Sequence, residues 1–160
     1  MNQDVRLKSV FISLVITATI AMVGASLIGN GISWFNKLEK PDYLISIQLF
    51  MIMGILYNLM FAYILYRLLV IYFQGKYKHA LHAVEMVVLV MVTNEGWNYF
   101  FMGMESTRNG FFGMMLFLAI LFFSLWKVKP IDKISSILLL LYSVWLIYAI
   151  IWSYALWKMN

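Results

Sequence analysis

Two long stretches hold no charged residue at all, Ser9 to Asn36 and Tyr43 to Tyr66. They constrain this chain more than any motif does. A helix that crosses the hydrocarbon of a bilayer needs roughly 20 mostly apolar residues. The chain has 160 residues, 64% of them apolar and 12% charged, where a soluble domain carries about 25% charged residues. A single water-soluble core of this size cannot hide so much apolar surface. Lipid is the solvent that suits it, and the expected fold class is an all-α integral membrane protein.

Five spanning helices are expected in one domain covering 1–160, at about 9–29, 44–73, 82–102, 111–127 and 134–157. Between them lie polar or glycine-bearing turns, "GKYKH" and "GMESTRNG", and "KVKP", where Pro130 stops the fourth helix. The loops are short, so sequential helices should be antiparallel neighbours in one bundle. The uncharged run near the N-terminus exceeds the 7–15-residue core of a signal peptide, and the first helix is expected to be retained. Its Ala21, Ala25 and Gly29 recur every four residues, a small-residue stripe along which another helix can come close. Arg67, near the far end of the second helix, is expected to snorkel to the interface.

The absence of cysteine excludes disulfides, thiolate metal sites and cysteine nucleophiles. A net charge of +5 would suggest nucleic acid in a soluble chain. Here the cations sit in short loops and at helix ends, where topology explains them. Arg6, Lys8, Lys76, Lys78, Lys127, Lys129 and Lys133 fall on one side, against Lys37, Lys40, Arg108 and Lys158 on the other. The positive-inside rule then puts the N-terminus in the cytoplasm and the first loop outside. His79 and His82 are three apart, but beside Lys76 and Lys78 they read as an ordinary basic turn. No metal site is expected, and no catalytic constellation is present.

Polar residues gather on the third helix. Asn94, Trp97, Asn98 and Phe101 follow i, i+3, i+4, i+7 spacing and share one face. That face reads either as a ligand wall or as helix–helix hydrogen bonding with an interfacial Trp. Glu85 points away from Asn94 and is expected to pair with the basic turn through Lys78, His79 or His82. Glu95 lies about 100° from Asn94 on an ideal helix, and its role is left open. The last helix has a second stripe, Tyr142, Trp145, Ala149, Ser153 and Asn160, with Trp152 on its flank. A small residue between large aromatics leaves room for a flat guest, and aromatic packing is the alternative.

Four ordered blocks, "WFNKLEKPDY", "GILYNLMFAY", "NEGWNYFF" and "LLLYSVWLIYAIIWSYALWKMN", resemble the TspO family of tryptophan-rich sensory and translocator proteins. The chain departs from that family's pattern in the first loop, where "KPDYLISIQ" has no Pro-Pro pair. No Trp precedes the Leu-Tyr of the second helix, Leu141 stands before Tyr142, and Trp152-Ser153 replaces a Leu-Asn pair. The resemblance implies a five-helix bundle, usually a homodimer, in a bacterial or archaeal cytoplasmic membrane. It implies a receptor or carrier for tetrapyrroles such as a porphyrin or haem, or for similar hydrophobic planar molecules, with no cofactor required. The pocket would lie beneath the first loop. Its implied residues are Trp34, Phe35, Lys40, Pro41, Tyr57, Asn94, Trp97, Asn98, Phe101, Tyr142, Trp145 and Ala149. Lys37 and Lys40 would meet propionates, while Trp34 and Phe35 plug the mouth. The alternatives are slow light- or oxygen-dependent porphyrin breakdown, which the missing second-helix Trp disfavours, and an accessory subunit that binds no ligand.

Overall fold

Local chemistry sets where the long helices begin. Ser46, Ser106 and Asp132 each accept a hydrogen bond from a backbone N–H three residues on, satisfying donors that the first helical turn leaves unpaired. The computed structural model describes residues 3–160. In order, its helices are α1 (Gln3–Ser26), α2 (Gly31–Lys37), α3 (Ile47–Phe73), α4 (Ala80–Asn98), α5 (Thr107–Val128) and α6 (Lys133–Met159), with a π-helical turn over Tyr99–Gly103 after α4. No strand occurs among the described residues.

Four of these helices, α1, α3, α5 and α6, are long and apolar enough to cross a membrane. The second of these spans runs over Gln48–Phe73. α4 falls outside that group: Glu85, Asn94, Glu95 and Asn98 dilute its apolar content within 19 residues. α2 was not expected as a helix. It occupies part of the stretch expected to be the first loop over the pocket, and it begins after Gly29 takes a left-handed φ of +53°, which glycine adopts without a Cβ penalty.

The interior is polar in small doses. Ser9, Ser13, Thr17, Ser124, Ser135, Ser143 and Ser153 are buried, while Leu, Ile, Phe and Met side chains face outward along every long helix. In lipid the outward surface gains nothing by hiding, and small side chains inside let helices pack closely. Several of these hydroxyls return to their own helix, such as Ser9 Oγ donating to the Val5 carbonyl at 2.7 Å. The packing stripe of α1 is therefore Ser9, Ser13, Thr17 and Gly24. The expected stripe of Ala21, Ala25 and Gly29 packs on no helix in this way: Ala25 is exposed and Gly29 lies in the turn.

α1 packs on α3 and α4, α4 on α3 and α5, and α5 along α6, whereas α3 and α6 approach only sparingly. At the opposite end from the first loop, Arg67 binds Asp132 through two 2.8 Å hydrogen bonds. This replaces the expected snorkelling, because a carboxylate at the start of α6 lies within reach of the guanidinium. Ser135 adds a hydroxyl donor to Asp132 Oδ2 at 2.7 Å. The Arg67 hydrogen bonds, aided by Ser135, hold the Asp132 carboxyl down at about 2 against the opposing effect of burial. Glu85 is exposed and joins none of the basic-turn residues expected to pair with it.

Candidate ligand-binding cavity

The sparse contact between α3 and α6 leaves a cavity of about 530 Å³ at the loop end of the bundle. That lies inside the range of about 300–1,000 Å³ usual for small-molecule sites. Its floor and walls come from α3, α4, the π turn, α5 and α6, with α2 above and the last turns of α1 at the side.

The α4 face expected from spacing lines it in full: Asn94, Trp97, Asn98 and Phe101 all border the space. Trp97 stacks on Phe101 with centroids 4.8 Å apart and planes at 16°, and its indole N–H donates to the Gly110 carbonyl at 2.9 Å. Gly110 is itself required, since a Cβ there would collide with the Phe101 ring. The π turn keeps Phe101 in place. Bonds from Met104 N to Tyr99 O and from Ser106 N to Phe101 O span five residues, and such wide turns recur at functional sites.

From α6, Tyr142, Trp145 and Ala149 line the cavity as expected. Trp152 does too, although its phase put it on the flank. Phe50 of α3 explains why: it meets Trp145 at 5.6 Å and Trp152 at 5.2 Å, so the aromatic wall is wider than one helical stripe. Tyr57 is buried against Phe61 and Tyr142. The Tyr57 hydroxyl and the Trp152 indole N–H are both buried without a hydrogen-bond partner, and each such orphan costs about 1–3 kcal/mol.

The first loop is a cover, and its residues divide. Phe35 lines the cavity and packs edge-on to Phe101 at 5.9 Å. Trp34 packs edge-on to the same ring at 5.4 Å but does not border the space. Lys40 and Pro41 do not border it either. The Lys40 ammonium donates to the Asn36 and Leu38 carbonyls at 3.2 and 3.1 Å and lies 4.9 Å from the Phe35 ring centroid. The cover is tied to α6 at two points. Asn160 accepts from Glu39 N at 3.0 Å and donates back to Glu39 O at 3.1 Å. The Tyr148 hydroxyl donates to Tyr43 O at 3.0 Å and accepts from Ile45 N at 3.2 Å.

Glu95, left open by spacing, is the site's acid. It is buried on the cavity wall, and Asn94 and Asn98 donate to its two oxygens at 3.3 and 3.0 Å. The Tyr142 hydroxyl donates to Asn94 Oδ1 at 2.8 Å, joining α6 to the network. Its position depends on α1: a Cβ on Gly24 would overlap the Glu95 carboxylate. A Gly on a neighbouring helix is a long-range condition that helical spacing within α4 does not reveal. On the side between α1 and α3 the lining residues Ala25, Met51, Gly54 and Ile55 are exposed, so the cavity is open laterally through an apolar gap.

A family model described as the TspO/MBR family matches residues 11–158 of the chain. No curated protein matches the sequence.

Proposed function

Since the chain belongs to the TspO/MBR family, we propose that it is a membrane receptor or carrier for tetrapyrroles or similarly flat apolar molecules. The observation that carries this reading is the aromatic-walled cavity of about 530 Å³ beneath a tied cover. Half-buried Phe50 and Trp145 present ring surface to it, backed by the buried rings of Trp97, Phe101 and Trp152, and burial of a planar guest there draws on apolar area and ring stacking. Tyr57 and Trp152 hold donors that a guest's acceptor would satisfy.

In this reading α4 and the π turn complete a fifth span, giving a single five-helix domain. The N-terminus is cytoplasmic, the cover faces outside, and the chain works as a homodimer. The guest enters sideways from lipid through the apolar gap between α1 and α3, a route that keeps it out of water. Propionates, where the guest has them, lie toward Lys37 and the cover. No group in the cavity has the arrangement of a nucleophile and its base, so the reading is one of holding and release.

The test is a titration of purified protein in detergent with protoporphyrin IX in the dark, followed by quenching of tryptophan fluorescence. The expected result is saturation near one guest per chain, with affinity lowered about tenfold or more in Trp145→Ala combined with Asn94→Ala, as befits lost stacking and a lost hydrogen bond. Unsaturable quenching, or identical curves for both proteins, would sink the reading.

A further inference from the structure

A carboxylate inside a membrane protein needs compensation, and Glu95 has only part of it. Its two oxygens each receive one amide N–H, from Asn94 and Asn98. An ionised carboxylate has about four acceptor directions, so two remain. The donors are arranged for a negative charge: both oxygens are approached by N–H groups. Yet the cavity lining includes no lysine, arginine or histidine, and the Arg67–Asp132 pair lies at the opposite end of the bundle. Buried charges are otherwise paired.

The surroundings are built to keep Glu95 where it is. Gly24 on α1 leaves the volume that the carboxylate fills. Asn98 Nδ2 also lies 3.5 Å from the Gly24 carbonyl, and Asn94 is held from the other side by Tyr142. Three helices thus fix one acid at the edge of an apolar, aromatic-walled space. An acid with only a packing role would not need a cavity beside it.

We infer that Glu95 is a specificity determinant, and that the cavity selects a planar aromatic guest which turns a protonated or N–H-bearing nitrogen toward this carboxylate. The inference rests on the ligand-binding reading above and narrows it. The guest supplies the missing positive pole, its apolar faces lie against Trp97, Phe101 and Trp145, and any carboxylates it carries point away from Glu95. A charge-assisted hydrogen bond of this kind, made where water is scarce, discriminates by about tenfold or more between guests that have the donor and guests that lack it.

Two probes with the same three fused rings isolate this contribution: 9-aminoacridine, which is cationic and carries N–H donors, and acridine, which lacks the amine. Both would be titrated by fluorescence against wild-type protein and Glu95→Gln, with protoporphyrin IX as a third ligand. Expected for the wild type is a preference for 9-aminoacridine of about tenfold or more. Glu95→Gln should bring the two probes to within about threefold, leaving acridine affinity nearly unchanged. Equal affinities in the wild type overturn the inference without recourse to any variant, and so does a preference that survives in Glu95→Gln. If protoporphyrin IX binds saturably and neither acridine does, the inference falls while the pocket reading stands. If none of the three binds, both fall together.

Discussion

Gly24 and Glu95 illustrate how a single backbone position controls chemistry on another helix. A methyl group on Gly24 would occupy the place of the Glu95 carboxylate, so Gly24→Ala must displace the acid or push α1 away. Overpacking of this kind costs about 1–3 kcal/mol. Thermal unfolding in detergent should show the loss, together with weaker discrimination between 9-aminoacridine and acridine. Asp132 offers a second residue-level test, remote from the cavity. Its carboxyl is held at about 2 when folded, against an ordinary value of 3.8. A lowered folded value means that its stabilisation is complete above about pH 4 and disappears as pH falls from there toward 2. Asp132→Asn should remove that acid-limb dependence and cost about 1–3 kcal/mol through the lost Arg67 pair and the weakened cap of α6. The stability-versus-pH curves of the two proteins check the sign. At this scale the sequence was informative where spacing along one helix decides. Asn94, Trp97, Asn98 and Phe101 share a face by periodicity, and all four line the cavity. Glu95, Trp152 and the Arg67–Asp132 pair depend on what stands opposite, which periodicity does not carry.

The elements divide the same way. Uncharged runs marked the long helices to within a few residues at most ends, because hydropathy and end-capping residues are local signals. α2 was missed: seven residues at the end of a long uncharged run have no amphipathic period long enough to register. The π turn after α4 was equally silent, as its wide hydrogen bonds answer to packing of Phe101 against Gly110 and α2. The cover formed by α2 and the following loop depends on two tethers to α6. Removing both, by Tyr148→Phe with Asn160→Ala, takes away hydrogen bonds to Tyr43, Ile45 and Glu39. Amide exchange over residues 38–46 should then quicken, and release of a bound porphyrin should speed up by about tenfold, each exposed bond contributing roughly 0.5–1.5 kcal/mol. Unchanged exchange would mean that apolar packing of Trp34 and Phe35 on Phe101 alone holds the cover.

For the whole molecule, apolar side chains fill the core and also cover the outside, with small serines set among them inside. Composition alone pointed to lipid for this reason. In the proposed orientation, which follows the cation bias, Lys76, Lys78 and Lys127 lie on the cytoplasmic side and the cover lies outside. Single cysteines introduced at Lys76 and at Lys40 should therefore be labelled by a membrane-impermeant thiol reagent from opposite faces of the membrane, Lys40→Cys from outside. Labelling of both from one face would overturn this topology. The central claim, that a flat guest sits between α3 and α6 under the cover, is tested most directly by locating the guest among the six tryptophans. With 5-fluorotryptophan incorporated throughout, each indole gives a fluorine resonance, and the ring current of bound protoporphyrin IX displaces those beside it. Resonances of Trp97, Trp145 and Trp152, which line the cavity, should shift together and saturate at one guest per chain. Trp126, exposed on α5, should stay in place. Equal displacement of all six, or a shift led by Trp126, would show the porphyrin on the outer surface and contradict the account.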